Sequence, residues 1–466
     1  LAAGAAAAGE ARFRDALIRI LGDWLVRNPP GSRPGWEPYP LSRRLVAWSE
    51  ADALLGGDPA WRDFARARLR PSLRLQARML AANLERDLDN NHLLANFKAL
   101  AWVGCRHPGW PEAGRWRTIG LAGFREALHR QVPHGLHGEM SLSYHALVLQ
   151  DLLEVMGLHA PAGVAVPEDL SRTAGRMATV LRTLTAPDGS WPLLNDTVEG
   201  YPCPPEDLPA VNPAAGSGED GNDLLARSGW AVIRGGRGGH LTFDAAPMGL
   251  DHLPGHGHAD TLGITLFDGG RWLVVDPGVY RYHDRPWRDH FRGTRAHSTV
   301  TVDGADQCLF LGPFRVAYPP RARLLERTPH SAAGEHDGYR RLSPPVTHRR
   351  RVAWLGEGHW EVSDTILGGG HALRASLQLA PGAAVAREGE VGWTARWEDG
   401  TSLAVEAGPL PAGARLEVEE GWHSPSWNLR VPAPRLVVRW RPAHDSSLTV
   451  GLRLLTPSRS VAPAEG

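Results

Sequence analysis

The sequence predicts an α+β multidomain chain: an all-α half to about residue 186, then an all-β half from about residue 227. Three observations predict it. Apolar residues recur at three and four spacing in the first half, as in Phe13, Leu17, Ile20, Leu21 and Leu25 or Leu142, Ala146, Leu149 and Leu153. Past residue 227 the period falls to two, with short Val-, Leu-, Thr- and Trp-rich runs. Between the halves, residues 187–226 lose both periods in a run of Pro, Gly, Asp and Asn, and so read as a connector.

In the first half the pattern predicts helices over 10–27, 41–55, 59–87, 91–104, 111–131, 139–157 and 168–185, separated by Pro and Gly punctuation. Pro71 falls inside the third and should kink or split it, because it lacks an N–H and its ring crowds the carbonyl four residues back. In the second half the runs Leu241–Phe243, Trp272–Val275, Ser298–Val302 and Leu436–Trp440 read as strands, punctuated by turns such as Asp268-Gly269-Gly270, Asp303-Gly304 and Asp399-Gly400. Strands at this spacing without intervening helices imply an antiparallel sandwich.

The 466 residues are 42% hydrophobic, enough for large cores, and their 51 basic and 51 acidic side chains cancel. That balance excludes a general affinity for nucleic acid or anionic membranes, which needs a cationic surplus. No apolar run reaches the roughly 18 residues of a membrane span. Lys98 is the only lysine and sits in a motif-free helical stretch, a poor setting for Schiff-base or phosphate-loop chemistry. Cys105, Cys203 and Cys308 lie too far apart for a CxxC metal knuckle. A chain that begins at Leu1 rather than Met suggests a trimmed N-terminus.

Three segments concentrate chemistry. In Asp251-His252-Leu253-Pro254-Gly255-His256-Gly257-His258-Ala259-Asp260, the second and third histidines alternate and so should face opposite sides of an extended segment. His258, with Asp276 of Val275-Asp276-Pro277-Gly278 and His297 of Arg295-Ala296-His297-Ser298-Thr299, supplies three N/O donors at strand ends. These could converge on zinc, held structurally; without an ion they are hydrogen-bonded loop histidines and a turn aspartate. His256 is then free for a catalytic cleft.

The second segment, Gly135-Leu136-His137-Gly138-Glu139-Met140-Ser141-Leu142-Ser143-Tyr144-His145, places a phenol on the first turns of a helix. There the positive end of the helix dipole should favour phenolate and make Tyr144 a proton shuttle. Glu139 could instead cap that helix. The third segment, Asp89-Asn90-Asn91-His92, starts a helix; it reads either as an N-cap or as an amide and an imidazole that grip a carboxylate. The 18 Trp among 34 aromatics could serve as sugar platforms, although packing accounts for most of them.

Taken together, these segments resemble the heparinase II/III-like family of polysaccharide lyases over nearly the whole chain. The resemblance implies an N-terminal incomplete (α/α) toroid followed by a C-terminal antiparallel β-sandwich. It further implies Tyr144, His256 and Asn91 or His92 as catalytic residues, Glu139 and His145 as substrate-binding residues, and His258, Asp276 and His297 as ligands of a structural Zn2+. The implied substrate is an acidic polysaccharide (heparan-like glycosaminoglycan, alginate or a bacterial exopolysaccharide), cleaved by β-elimination in the periplasm or outside the cell. A glycoside hydrolase using Glu139, Asp196 or Glu199 and a non-catalytic polysaccharide-binding protein are the alternatives.

Overall fold

The structure, a computed structural model, describes residues 11–202 and 219–455. Cys203 and the connector residues through 218 lie outside the described residues. Two compact units emerge: Leu1–Pro133 with Val148–Ala174, and His134–Leu147 with Gly175–Gly466.

The first unit is helical, with helices at Ala11–Arg27, Pro38–Leu55, Pro59–Phe64, Arg70–Ala82, Asn91–Arg106 and Ala113–Gln131. Leu142–Gly157 and Glu168–Leu184 contribute residues to both units. The apolar stripes read from the sequence meet in one core containing Leu41, Leu45, Trp61, Leu69, Leu73, Leu80, Leu100 and Trp116. Tryptophan here is packing material: the Arg44 guanidinium lies 4.1 Å from the Trp24 ring and 5.5 Å from that of Trp48. Lys98, buried, donates to Asp151 at 2.6 Å and also pairs with Glu154. It is a structural cation.

The split expected at Pro71 takes a definite form. Residues Ala65–Leu69 widen into a π-helical turn just before Arg70-Pro71. A wider turn makes room for the proline ring and dispenses with its missing N–H, so the chain continues without breaking. The helix then stops at Ala82 rather than residue 87.

The second unit is dominated by antiparallel sheets. Trp230–Arg234, His240–Asp244, Ile264–Asp268 and Arg271–Val274 form a four-stranded meander. Eight strands form the largest sheet, in the order Ala384–Glu388, Gly392–Arg396, Ser402–Ala407, Ser446–Leu454, His359–Leu367, Thr347–Gly356, Ser331–His336 and Ala322–Arg327. A third sheet runs Arg415–His423, Val431–Trp440, Leu373–Gln378 and Val300–Val302. The alternation read from the sequence is visible in His359–Leu367, where Trp360, Val362, Asp364 and Ile366 are buried and their neighbours are half-buried. One core, including Phe243, Leu266, Val300, Trp360, Leu377 and Val438, joins the three sheets. Among the described residues no helix is long and apolar enough to cross a membrane.

Close helix packing in the first unit depends on glycines. A Cβ at Gly104 would lie 2.6 Å from the Ala113 carbonyl, and one at Gly120 would lie 2.6 Å from that of Phe97. Gly120→Ala gains about 1 kcal/mol of helix propensity but forces two backbones apart, an overpacking cost of about 1–3 kcal/mol. We expect net destabilisation, read as a lower urea midpoint with an unchanged slope.

Candidate active site and metal centre

The site forms in the second unit, around a stretch the sequence leaves within the connector. Residues 193–198, Leu-Leu-Asn-Asp-Thr-Val, are fully buried without belonging to any helix or strand. Their backbone polar groups therefore need partners from elsewhere. The Tyr144 segment supplies them: Ser141 Oγ donates to the Asp196 carbonyl at 3.0 Å, Ser143 Oγ accepts from Val198 N at 3.0 Å, and Leu142 N donates to Thr197 Oγ1 at 2.9 Å. That last bond satisfies an N–H at the start of helix Leu142–Gly157, so Glu139 is not needed as a cap. On the other side, the Asn195 side chain donates to the Met140 carbonyl at 2.8 Å and accepts from His258 N at 2.7 Å. Asn195 sits at φ 56°, a left-handed conformation that asparagine tolerates better than most residues.

The Asp196 carboxylate is the centre of this arrangement. Its Oδ2 lies 2.8 Å from His256 Nδ1, and its Oδ1 lies 2.9 Å from His258 Nε2. Arg288, from helix Arg285–Arg292, engages both oxygens, Nη2 reaching Oδ2 at 2.9 Å. Both ion-pair partners are fully buried. Burial would raise the Asp196 pKa, yet Arg288 and the two histidine hydrogen bonds outweigh it and hold the carboxyl well below the usual range. An ionised carboxylate only accepts, so each histidine must donate to it. In the neutral rings the acceptor nitrogens are therefore Nε2 of His256 and Nδ1 of His258.

The alternation expected of the two histidines holds in their exposure, with His256 at 13% and His258 at 0%. Their sharing of one carboxylate was not legible. The Tyr144 and His256 rings lie 4.1 Å apart, and the Tyr144 hydroxyl lies 3.0 Å from that of Tyr282. Phe314 and Tyr282 close on His256 at 5.8 and 6.1 Å. Glu139, buried, places Oε1 3.9 Å from His256 Nε2.

Two expectations are corrected. Burial, reinforced by the Asp196 charge, raises the Tyr144 pKa well above its ordinary value, so the free protein holds a neutral phenol rather than the phenolate suggested by the helix dipole. His145 is buried, with Nδ1 accepting from His137 N at 3.2 Å and Nε2 donating to the Met177 carbonyl at 3.0 Å. With both nitrogens engaged by backbone, it has none to offer a substrate.

His258, Asp276 and His297 converge as expected, all three buried, with one donor atom from each within 4.8 Å of the others. His258 Nδ1 and His297 Nε2 are buried atoms without a hydrogen-bond partner, and such groups in a folded interior call for an ion or a water. Burial, against Asp196, lowers the His258 pKa to about 4, which keeps the ring neutral and able to ligate. Two imidazoles and a carboxylate in an enclosed place suit zinc.

Asn91 and His92 belong to the first unit. The N-cap of helix Asn91–Arg106 is Asn90, whose side chain accepts from His92 N at 3.0 Å, which leaves Asn91 and His92 free of the capping role. His92 stacks on Tyr39 at 4.1 Å and turns Nδ1 toward Glu85 at 3.1 Å. Asp196 stood in the sequence only as a carboxylate of the hydrolase alternative, and Arg288 and Tyr282 were missed as partners of the site. The only hint was an Asn-Asp-Thr run flanked by apolar residues on both sides, unusual for a solvated loop.

Known families and proteins resemble this chain along most of its length. Residues 1–201 match the family described as Heparinase II/III N-terminus, and residues 220–450 match Heparinase II/III-like, C-terminal. A heparin-sulfate lyase of Bacteroides thetaiotaomicron is 24% identical over 339 residues, covering 63% of this chain and 47% of that protein. One of Bacteroides stercoris is 21% identical over 406 residues, covering 80% and 58%. The chain thus spans about half the length of these curated relatives. Among solved structures, Heparinase III superposes with a TM-score of 0.82 at 18% identity, covering 99% of this chain and 76% of that one. A heparan sulfate lyase mutant from Pedobacter heparinus superposes at 0.72 and 20%, covering 97% and 74%.

Removing the central carboxylate tests this geometry. Asp196→Asn leaves Arg288 buried without its counter-charge and should cost about 3–5 kcal/mol at neutral pH, far more than an exposed pair such as Arg172–Glu168. Because the folded pKa is depressed, the wild-type advantage is complete above the unfolded value near pH 4 and fades only as pH falls through the lower folded value. Urea unfolding of both proteins from neutral to strongly acidic pH checks the size and the direction.

Proposed function

The chain belongs to the heparinase II/III-like family, and from that membership we propose that it is a polysaccharide lyase acting on a uronate-containing glycosaminoglycan by β-elimination. The single observation that carries the proposal is the Tyr144–His256 pair, 4.1 Å ring to ring, with His256 Nδ1 fixed on Asp196. With Nδ1 donating to Asp196, Nε2 is the ring nitrogen left to act as the base. It takes the C5 proton of the uronate. The raised pKa of Tyr144 keeps a proton on its oxygen, ready for the departing C4 oxygen. The C5–H electron pair becomes the C4–C5 double bond as the C4–O bond breaks, and the departing oxygen takes the phenolic proton.

The C5 proton is weakly acidic while the adjacent carboxylate stays negative. Catalysis therefore needs hydrogen bonds to that carboxylate that strengthen as charge develops, each typically contributing about 3 kcal/mol, the role that the family resemblance implies for Asn91 or His92. Glu139 lines the approach to His256. For a polymeric substrate we propose a location in the periplasm or outside the cell.

His258, Asp276 and His297 would hold the zinc ion. A zinc ion held there would supply a structural cross-link between the loops that carry these residues, while Asp196 couples His258 to His256 and so orients the base. The hydrolase alternative loses ground on the same geometry. Asp196 has both oxygens committed to Arg288 and two histidines and is held ionised, so it serves as neither acid nor nucleophile.

Incubation with glycosaminoglycans should yield ultraviolet-absorbing unsaturated uronate. Tyr144→Phe should lower kcat by about 100-fold or more with little change in KM; undiminished turnover would remove Tyr144 from the mechanism. Since its pKa lies above the ordinary phenol value near 10, deprotonation of Tyr144 should cause no alkaline fall in kcat below about pH 10, and a pH–rate profile reads this directly. His297→Ala should lower both the zinc-to-protein ratio and the thermal midpoint. An unchanged ratio rules out the metal assignment.

A further inference from the structure

An open cleft of about 620 Å³ lies in the second unit, between the 247–254 loop and the segment around Tyr318. The residues lining it include Tyr318, the acidic Asp251 and Asp337, the basic Arg321 and Arg341, and Met248. Tyr318 is 67% exposed and sits at φ 54°, a left-handed conformation that a bulky residue adopts only when its surroundings impose it. Two prolines follow at once, fixing the backbone that displays the ring.

The floor is rigid. Asp337 accepts from Arg321 N at 2.8 Å, and Arg341 donates to the Gln307 carbonyl at 3.1 Å and also to those of Gly338 and Asp306. A side chain at Gly338 would meet the Gln307 carbonyl at 2.7 Å, so the chain there is packed as tightly as glycine permits. By contrast, the exposed Arg321 guanidinium forms no ion pair among the described residues, which leaves its charge for a bound anion.

A flat aromatic face, carboxylates to accept hydroxyl protons and an uncommitted guanidinium are the groups that hold an acidic sugar. One wall also leads into the catalytic loop: a Cβ on Gly257, next to His256, would strike the Met248 carbonyl. We infer that this cleft is a second binding place for an acidic saccharide segment, which anchors a long chain beside the catalytic loop through Tyr318 and Arg321. The inference rests on the lyase proposal for its substrate class and goes beyond it in location.

The test uses the full chain with Tyr318→Ala and Arg321→Gln combined. Affinity for a labelled heparan sulfate dodecasaccharide should fall about fivefold to tenfold, while turnover of a tetrasaccharide, which reads the catalytic residues, stays unchanged. Unaltered dodecasaccharide affinity in a folded variant overturns the inference. Equal losses on the tetrasaccharide overturn it too, because the two residues would then belong to the catalytic site. Should the double variant melt earlier, Arg321→Gln alone, at an exposed position, must still weaken dodecasaccharide binding and flatten its salt dependence; no change in either contradicts the cleft. Binding is measured without turnover, so a wild-type protein that binds the dodecasaccharide through these residues yet releases no unsaturated product would sink the lyase proposal and leave the cleft standing.

Discussion

One buried carboxylate organises the functional half of this protein. Asp196 has no contact with water, and an isolated charge there would be prohibitive. Arg288 makes it tolerable, and the two histidines use its remaining hydrogen-bonding capacity. Because an ionised carboxylate cannot donate, it dictates which nitrogen of each ring carries the proton. His256 is left with a basic nitrogen beside Tyr144, and His258 with one beside Asp276 and His297. The proposed base and the proposed metal ligand are thus oriented by the same two oxygens.

The supporting framework follows from that requirement. Asn195-Asp196-Thr197 reaches the interior without forming helix or strand, so its polar groups are satisfied by Ser141, Ser143, Leu142 N, Met140 and His258. These bonds tie the first turn of the Tyr144 helix to the histidine loop. The phenol and the imidazole meet because both are fastened to the same short stretch of chain. Tyr282 and Phe314 complete an apolar surround, in which the phenol keeps its proton.

Much of this was legible in the sequence. Period 3.6 giving way to period 2 marked the change from helices to antiparallel strands, since burial on one face imposes those periods directly. The donor triad was legible because metal-binding residue types recur in three short segments, which the structure makes loops beside strands. Residues 193–198 were not: a buried irregular segment carries no period, and its neighbouring prolines and glycines resemble any solvated connector. Arg288 was hidden for a related reason, since an arginine on a short polar helix looks exposed until its partner is known. The protonation of Tyr144 was misjudged because the helix-end potential is a local effect of under about 2 kcal/mol, whereas burial depends on residues distant in sequence.

The role of Asp196 can be observed without substrate, by nitrogen-15 NMR of the histidine rings in the metal-loaded protein at neutral pH. The account predicts opposite neutral tautomers, His256 with its proton on Nδ1 and His258 with its proton on Nε2, and loss of that contrast in Asp196→Asn. Matching tautomers in the wild-type protein, or a contrast that survives the substitution, would contradict it.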